Sequence, residues 1–114
     1  MAGAEVCNFG KNVRFRPASH LAPKDETELL TILQSHRSGR IRVMGAKHAW
    51  SNGIETDDVL LDMRHFRHIQ VRMREGMSFV TVGAGCQIKT LLAALNRKGL
   101  TTPSVGLITE QTIA

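Results

Sequence analysis

The 114-residue sequence contains no tyrosine, and aromatic residues make up only 4% of it. Proteins that bind single-stranded nucleic acid stack the bases on aromatic side chains, so this class of function is poorly supported. Only two cysteines occur, Cys7 and Cys86, far apart in the chain and outside any CxxC pair. This number and spacing exclude a disulfide framework and a CxxC-type metal or redox centre, and we expect two reduced thiols.

Long hydrophobic runs are also absent. No apolar stretch approaches the roughly 18–20 residues that a transmembrane helix needs. Residues 1–10 lack the basic-then-apolar order of a secretory signal. We therefore expect no transmembrane segment and a cytoplasmic location. An apolar share of 42% with 22% charged residues is typical of one globular domain with a modest core.

The charge is unbalanced towards basic residues, with a formal net charge of +5. Such an excess indicates an anionic partner. Nucleic acid and the pyrophosphate of a dinucleotide cofactor both satisfy this requirement. The scarcity of aromatic residues favours the pyrophosphate, and we expect no nucleic-acid partner. A basic nucleic-acid-binding module and an inactive structural fragment stay open as alternative interpretations.

Capping signals and apolar periodicity predict two helices. Asp25, with Glu28 three positions later, forms an Asx version of the capping box at the start of a helix over residues 24–37. A second helix is predicted over residues 87–98, where leucine and isoleucine recur at helical spacing. Gly99 suits the position just past its end. Each helix has a leucine-rich face that we expect to pack on a small sheet.

Runs of strand length alternate with these helices. Strands are predicted over residues 13–16, 40–44, 59–61, 69–73 and 78–82. Glu75-Gly76 is typical of a tight hairpin turn between the last two. The resulting order predicts an α+β fold made of two small βα subdomains, each a short sheet packed by one amphipathic helix.

The stretch over residues 42–53 is the most informative for function. The small residues Gly45 and Ala46 let the backbone approach a ligand closely after a strand. Successive backbone N–H groups in such a turn bind anions, and Lys47 adds positive charge. His48 leaves the same loop and is a candidate base, phosphate contact or nucleophile towards a cofactor. Residues 104–114 form a second polar, glycine-bearing loop, so both loops can close on one extended anionic ligand.

Two further histidines have the spacing of a metal-binding pair. His65 and His68 lie three residues apart, but Arg64 and Arg67 flank them and repel cations. No cysteine or carboxylate partner follows at ligand spacing. We therefore expect no metal site, and we interpret the basic run over residues 64–74 as a solvated strand face.

In their combined order and spacing, several segments resemble the FAD-binding domain of the vanillyl-alcohol-oxidase (PCMH) type. The nearest subgroups are the alditol oxidases and the sugar-1,4-lactone oxidases, such as L-gulonolactone and D-arabinono-1,4-lactone oxidase. The resemblance covers essentially the whole chain. The segments that carry it are Asn12-Val-Arg-Phe-Arg-Pro17, Gly45-Ala-Lys-His48-Ala-Trp-Ser51, Leu60-Leu-Asp-Met63, Val80-Thr-Val-Gly-Ala-Gly85 and Thr109-Glu-Gln-Thr-Ile-Ala114.

The resemblance implies FAD as the cofactor, bound between the two subdomains. His48 matches the histidine that is bonded covalently to the flavin 8α carbon in many members, whereas Ala49 replaces the serine that usually follows it. Gly106 matches a position near the reactive face of the flavin, where a small residue is associated with oxygen access. The cofactor-binding residues implied in this way are Val43, Met44, Gly45, Ala46, Lys47, His48, Ala49, Gly106, Leu107, Thr112, Ile113 and Ala114.

The resemblance also implies an oxidoreductase that passes a hydride from a sugar-derived alcohol or lactone to the flavin, which oxygen or another acceptor reoxidises. We expect residues 1–114 to be the N-terminal portion of the FAD-binding domain. The catalytic base and the substrate domain are expected outside it, so no catalytic residue is assigned here. We expect the segment alone to be inactive and to bind FAD weakly or not at all.

Overall fold

The computed structural model describes residues 4–114. Within that range the elements are β1 (Val6–Cys7), β2 (Arg14–Phe15), β3 (Ser19–Leu21), α1 (Glu26–Ser35), β4 (Ile41–Met44), β5 (Val59–Asp62), β6 (Ile69–Arg74), β7 (Met77–Val82) and α2 (Ile88–Asn96). No helix among them is long and apolar enough to cross a membrane. Short sheets and two helices confirm the predicted α+β class.

The first subdomain is built around β5, whose four residues are all buried. β5 lies between β3 and β4 and pairs with both in parallel. Met44 and Leu60 pack into a core with Val6 and Phe15 of the antiparallel β1–β2 pair and with Val13, which precedes β2. The carboxyl ends of β4 and β5 lie together at one edge of the sheet, because Met44 pairs with Asp62.

The second subdomain is the β6–β7 hairpin with α2 packed on it. Glu75 and Gly76 both have positive φ, 53° and 77°, which is typical of the type I′ turn that joins two tightly paired strands. Leu91 and Leu95 of α2 are buried against apolar residues of both strands. Gly99 ends the helix at a φ of 71°, where a residue without Cβ avoids strain. These features confirm the predicted hairpin and helix.

Helix α1 begins where the capping signal predicts. The Asp25 carboxylate accepts a hydrogen bond from the Glu28 N–H at 2.9 Å, and the Glu28 carboxylate accepts one from the Lys24 N–H at 2.8 Å. The prediction that its leucine-rich face packs on a sheet holds only in part, because no residue of α1 is buried. Leu30 is 54% exposed and Leu33 41%. Only Leu29 and Ile32 of the predicted face are half-buried, so the contact stripe is narrow and leaves Leu30 and Leu33 beside it near water.

Two short strands were not predicted. β1 has two residues and β3 has three, which is too short for alternation to be recognised. The two strands are recognised only by their backbone pairing in the structure. β1 pairs with β2, and β3 extends the parallel sheet on one side of β5. The strands predicted from residue 40 onwards lie within one residue of the observed bounds. The strand predicted over residues 13–16 shortens to β2.

Asp58 links the segment after α1 to the loop before β5. One of its carboxylate oxygens accepts a hydrogen bond from the Arg40 N–H at 2.7 Å and lies 3.0 Å from Nε2 of His36. The Arg40 hydrogen bond and, second, the His36 hydrogen bond hold the pKa of Asp58 below its ordinary value of 3.8. The charged form of Asp58 is therefore the form that stabilises the fold.

This arrangement predicts a pH-dependent stability. A lowered folded-state pKa contributes stability that is fully present above the unfolded-state value, near about 4, and is lost as the pH falls through the folded-state value. Below about pH 4 we expect the thermal midpoint of the wild type to fall more steeply than that of Asp58→Asn. Asp57→Asn removes a neighbouring exposed carboxylate and should keep the steep fall. Identical pH profiles for the wild type and Asp58→Asn would contradict the assignment.

Candidate functional site

The loop over residues 45–49 leaves β4 at the edge where β4 and β5 end. Lys47 has a φ of 64°, in the left-handed region that non-glycine residues rarely adopt. The Phe9 N–H holds this residue by donating to the Lys47 carbonyl at 2.7 Å. Within residues 4–114, the backbone N–H groups of Gly45, Lys47 and His48 donate to no protein atom. The loop therefore presents unused donors, as an anion-binding turn requires.

Two asparagines near the N-terminus hold the far end of this loop. Asn8 is 2% exposed, and its Nδ2 donates to the Ala49 carbonyl at 2.8 Å. Asn12 donates in the same way to the Trp50 carbonyl at 2.9 Å. Sequence reasoning missed both residues, because their partners lie 41 and 38 positions away. Ala49 lacks a hydroxyl, but its position is fixed through its backbone.

His48 lies half-buried beside the loop. Its ring stacks on Phe9, with the ring centroids 4.8 Å apart and the planes tilted by 35°. Nδ1 of His48 is buried and finds no hydrogen-bond partner in the described range. A buried polar atom without a partner costs about 1–3 kcal/mol, so such atoms in native structures call for an explanation. Other atoms of the imidazole line the smaller cleft, so a ligand there would contact the ring and would reach Nδ1 only if the ring turned.

The C-terminal segment meets the loop through Thr112. The Ala46 N–H donates to Oγ1 of Thr112 at 3.0 Å, and that hydroxyl donates to the Ala114 carbonyl at 2.7 Å. The Ile113 N–H donates to the Cys86 carbonyl at 3.0 Å, which ties the segment to the second subdomain. The structure thus brings His48 and Thr112 to the same side of the molecule, as the shared-ligand hypothesis requires.

Two of the residues that the resemblance implies do not join this site. Leu107 is fully exposed, and the atom nearest to a Cβ placed on Gly106 is Oε1 of Gln111, at 3.9 Å. Neither residue lines a cleft beside the loop. The segment that carries them, residues 101–110, contains no helix or strand, so nothing in its backbone pairing directs it towards Gly45. Val43 is close to the site in sequence but 48% exposed on β4.

Two adjoining clefts open on either side of the loop. The larger has a volume of about 550 Å³ and lies between the two subdomains, lined by Gly45, Lys47 and Cys86 among others. The smaller, of about 270 Å³, is lined by His48 and Ala114 among others. Both share Ala46, Lys47 and Thr112. Small-molecule sites measure roughly 300–1,000 Å³, so the two clefts together suit an extended ligand.

The residues present fit an anionic dinucleotide better than a metal ion. The clefts are lined by Gly45, Lys47 and His48, whose backbone N–H groups have no acceptor in the described range, and Lys47 adds a positive charge. No group of three or more His, Cys, Asp or Glu within residues 4–114 is arranged to hold a metal. Burial raises the pKa of the Cys86 thiol, so this side chain is uncharged at neutral pH.

Comparison with known proteins agrees with this geometry. A family model described as an FAD binding domain matches residues 17–114. A long-chain alcohol oxidase from an uncultured marine euryarchaeote is 48% identical over 112 residues, which are 98% of this chain and 23% of that protein. A Neurospora crassa protein to which D-arabinono-1,4-lactone oxidase activity is provisionally assigned is 30% identical over 100 residues, which are 86% of this chain and 18% of that protein.

Solved structures share the fold. A solvent-stable cholesterol oxidase superimposes with a TM-score of 0.82 at 20% identity, over 98% of this chain and 22% of that structure. The cholesterol oxidase of B. sterolicum superimposes with a TM-score of 0.74 at 21% identity, over 96% of this chain and 22% of that structure. The chain spans less than a quarter of the length of each of these four proteins.

Substitution of Gly45 tests whether the loop over residues 45–49 and the C-terminal segment hold each other in place. A Cβ at Gly45 would collide with Oγ1 of Thr112 and with the Ala114 carbonyl oxygen, whereas a Cβ at Gly53 would meet only Oγ of Ser51, at 3.6 Å. We expect Gly45→Ala to displace residues 111–114 and to destabilise the protein by about 1–3 kcal/mol. Hydrogen exchange measured by NMR should then show loss of protection at the Ala46 amide.

Gly53→Ala is the matched control for this substitution. It should leave the Ala46 amide protected and change stability by no more than about 0.5 kcal/mol, because its Cβ has ordinary contacts. Full protection of the Ala46 amide in Gly45→Ala would show that the two segments do not depend on each other.

Proposed function

The chain belongs to the FAD binding domain family, whose cofactor is FAD, and on this premise we propose that it is the flavin-binding portion of an oxidoreductase that oxidises hydroxyl groups. One observation carries the proposal. Two clefts adjoin at the loop over residues 45–49, where backbone N–H groups without protein acceptors, a lysine and an unpartnered histidine lie together. These donors and charges suit a diphosphate joined to a large aromatic ring system.

In this proposal the loop binds the diphosphate of FAD. The N–H groups of Gly45, Lys47 and His48 donate to its oxygens, and the lysine side chain balances part of its charge. Donors fixed by the fold need no rearrangement when the anion binds. Lys47 has the left-handed backbone that is typical of turns in which successive N–H groups form an anion-binding concavity.

The C-terminal segment contributes the second set of contacts. Thr112 already donates and accepts hydrogen bonds beside the loop, and Ala114 lines the same cleft. Ile113 lies between them in sequence and is 43% exposed. We propose these three residues, together with Val43, Met44, Ala46 and Ala49, as further cofactor contacts. Gly106 and Leu107 join them only if residues 101–110 move towards the loop.

When bound, FAD supplies the redox chemistry by accepting a hydride from a substrate carbon. The residues of this chain bind and orient the cofactor and set the charge around it. The family resemblance suggests a sugar-derived alcohol or an aldonolactone as the substrate. The relative named as a long-chain alcohol oxidase is the more identical of the two relatives, at 48% against 30%. We therefore propose an alcohol CH–OH group as the site of oxidation.

The half-buried His48 is our candidate for a covalent bond to FAD. We expect the full-length protein, produced with FAD available, to be yellow and to stay yellow after acid precipitation, because the bond survives unfolding. His48→Ala should release the flavin into the supernatant. His65→Ala removes an exposed histidine of the basic run and should keep the colour in the precipitate.

Each outcome of this experiment has a separate meaning. Flavin that leaves the wild-type precipitate would show that the covalent assignment to His48 is wrong, while FAD binding would stand. A full-length wild-type protein that carries no flavin and takes up none when FAD is added would contradict the proposed function itself.

A further inference from the structure

The larger cleft has a cationic wall that the loop does not supply. Arg64 and Arg67 line this cleft together with Lys47. Among the described lining residues Asp62 is the sole carboxylate, and it already forms an ion pair with Arg64. The cleft therefore has a net positive charge beyond that of the loop lysine.

Asp62 holds Arg64 in place. Asp62 ends the buried strand β5 and is itself 4% exposed. One of its carboxylate oxygens accepts from Nε of Arg64 at 2.8 Å and also from Nη2, while the other accepts from the Arg64 backbone N–H at 3.0 Å. These hydrogen bonds raise the pKa of Arg64. Nη1 of Arg64 has no protein acceptor in the described range and stays available to a ligand.

Arg67 has no such side-chain partner, and its position is set by the backbone of the turn that carries it. The Phe66 carbonyl accepts from the Gly85 N–H at 2.8 Å, and a Cβ on Gly83 or Gly85 would collide with the backbone around Met63 and Phe66. The turn that carries the arginine thus fits closely against the second subdomain. The exposed Arg67 guanidinium forms no ion pair or hydrogen bond with the described residues.

We infer that Arg64 and Arg67 bind the phosphate-bearing part of FAD from a second wall of the cleft, with Asp62 as the residue that positions Arg64. The inference rests on the proposed function. A diphosphate carries about two negative charges, and arginine binds phosphate oxygens through paired N–H groups. Because the Asp62 carboxylate is already paired with Arg64, it does not leave an unbalanced negative charge beside the phosphates.

The test compares Arg64→Gln, Arg67→Gln and Asp62→Asn with the wild type, each in the full-length protein freed of flavin. FAD and riboflavin are titrated separately, and binding is followed by the change in flavin fluorescence. We expect each arginine variant to weaken FAD binding about 10-fold or more, since a charge-assisted hydrogen bond contributes about 1.5–3 kcal/mol. Riboflavin carries no phosphate, so its affinity should not change.

Arg72→Gln is the matched control, since it removes one exposed arginine of β6 that pairs only with Gln70. It should leave FAD affinity within about twofold of the wild type, because Arg72 does not line the cleft and salt screens exposed charges. Asp62→Asn should weaken FAD binding, but its effect should vanish when Arg64→Gln is already present, because Asp62 acts through Arg64. If Asp62 had only a structural role, the losses of FAD affinity in Asp62→Asn and Arg64→Gln would instead add in the double variant.

Three outcomes decide between the two proposals. If the wild type binds FAD and both arginine variants match Arg72→Gln, the inference is wrong and the proposed function stands. If the wild type binds neither FAD nor riboflavin, both fail. If circular dichroism shows that an arginine variant is unfolded, the salt dependence of FAD and riboflavin binding by the wild type is measured instead. FAD binding should then weaken with salt while riboflavin binding does not, and salt-independent FAD binding would overturn the inference.

Discussion

Parallel pairing of β4 with β5 is the constraint on which both walls of the larger cleft depend. Met44 lies opposite Asp62, so the loop that carries Lys47 and the turn that carries Arg64 leave the sheet at the same edge. A one-residue change of register would turn every side chain of β5 to the opposite face. Because all four residues of β5 are buried, both of its faces are packed, and that change would move every side chain into a space that fits a different one. The burial that stabilises the first subdomain therefore also assembles the candidate site.

The loop over residues 45–49 keeps its shape through contacts with other segments of the chain. Its own N–H groups are mostly unused, so its shape depends on neighbours: Asn8 and Phe9 on one side and Thr112 on the other. The left-handed backbone of Lys47 costs of order 1 kcal/mol and persists only where surrounding contacts fix it. Backbone strain and unpartnered polar atoms at the same place are typical of a site shaped for a ligand.

Local signals in the sequence predicted most of the regular structure. The cap at Asp25 and the Glu75-Gly76 turn rest on contacts between near neighbours, and both were found as predicted. The roles of Asn8 and Asp62 could not be predicted in this way. Asn8 acts on a carbonyl 41 residues away, and Asp62 contributes to a cleft only because β4 lies beside β5. Arg64 was interpreted as part of a solvated strand face, because the sequence does not show that β5, which Arg64 follows, ends beside the loop that carries Lys47.

The central claim is that FAD binds along the loop over residues 45–49 and the segment over residues 111–114. Titration of FAD into ¹⁵N-labelled protein, followed by ¹H–¹⁵N NMR spectra, tests it directly, because each backbone amide reports its own surroundings. We predict that the largest shifts occur at the amides of Gly45, Lys47 and His48 and over residues 111–114, whereas the β6–β7 turn at Glu75 is unaffected. Shifts confined to the hairpin turn, or unchanged amides in the loop at saturating FAD, would contradict the claim.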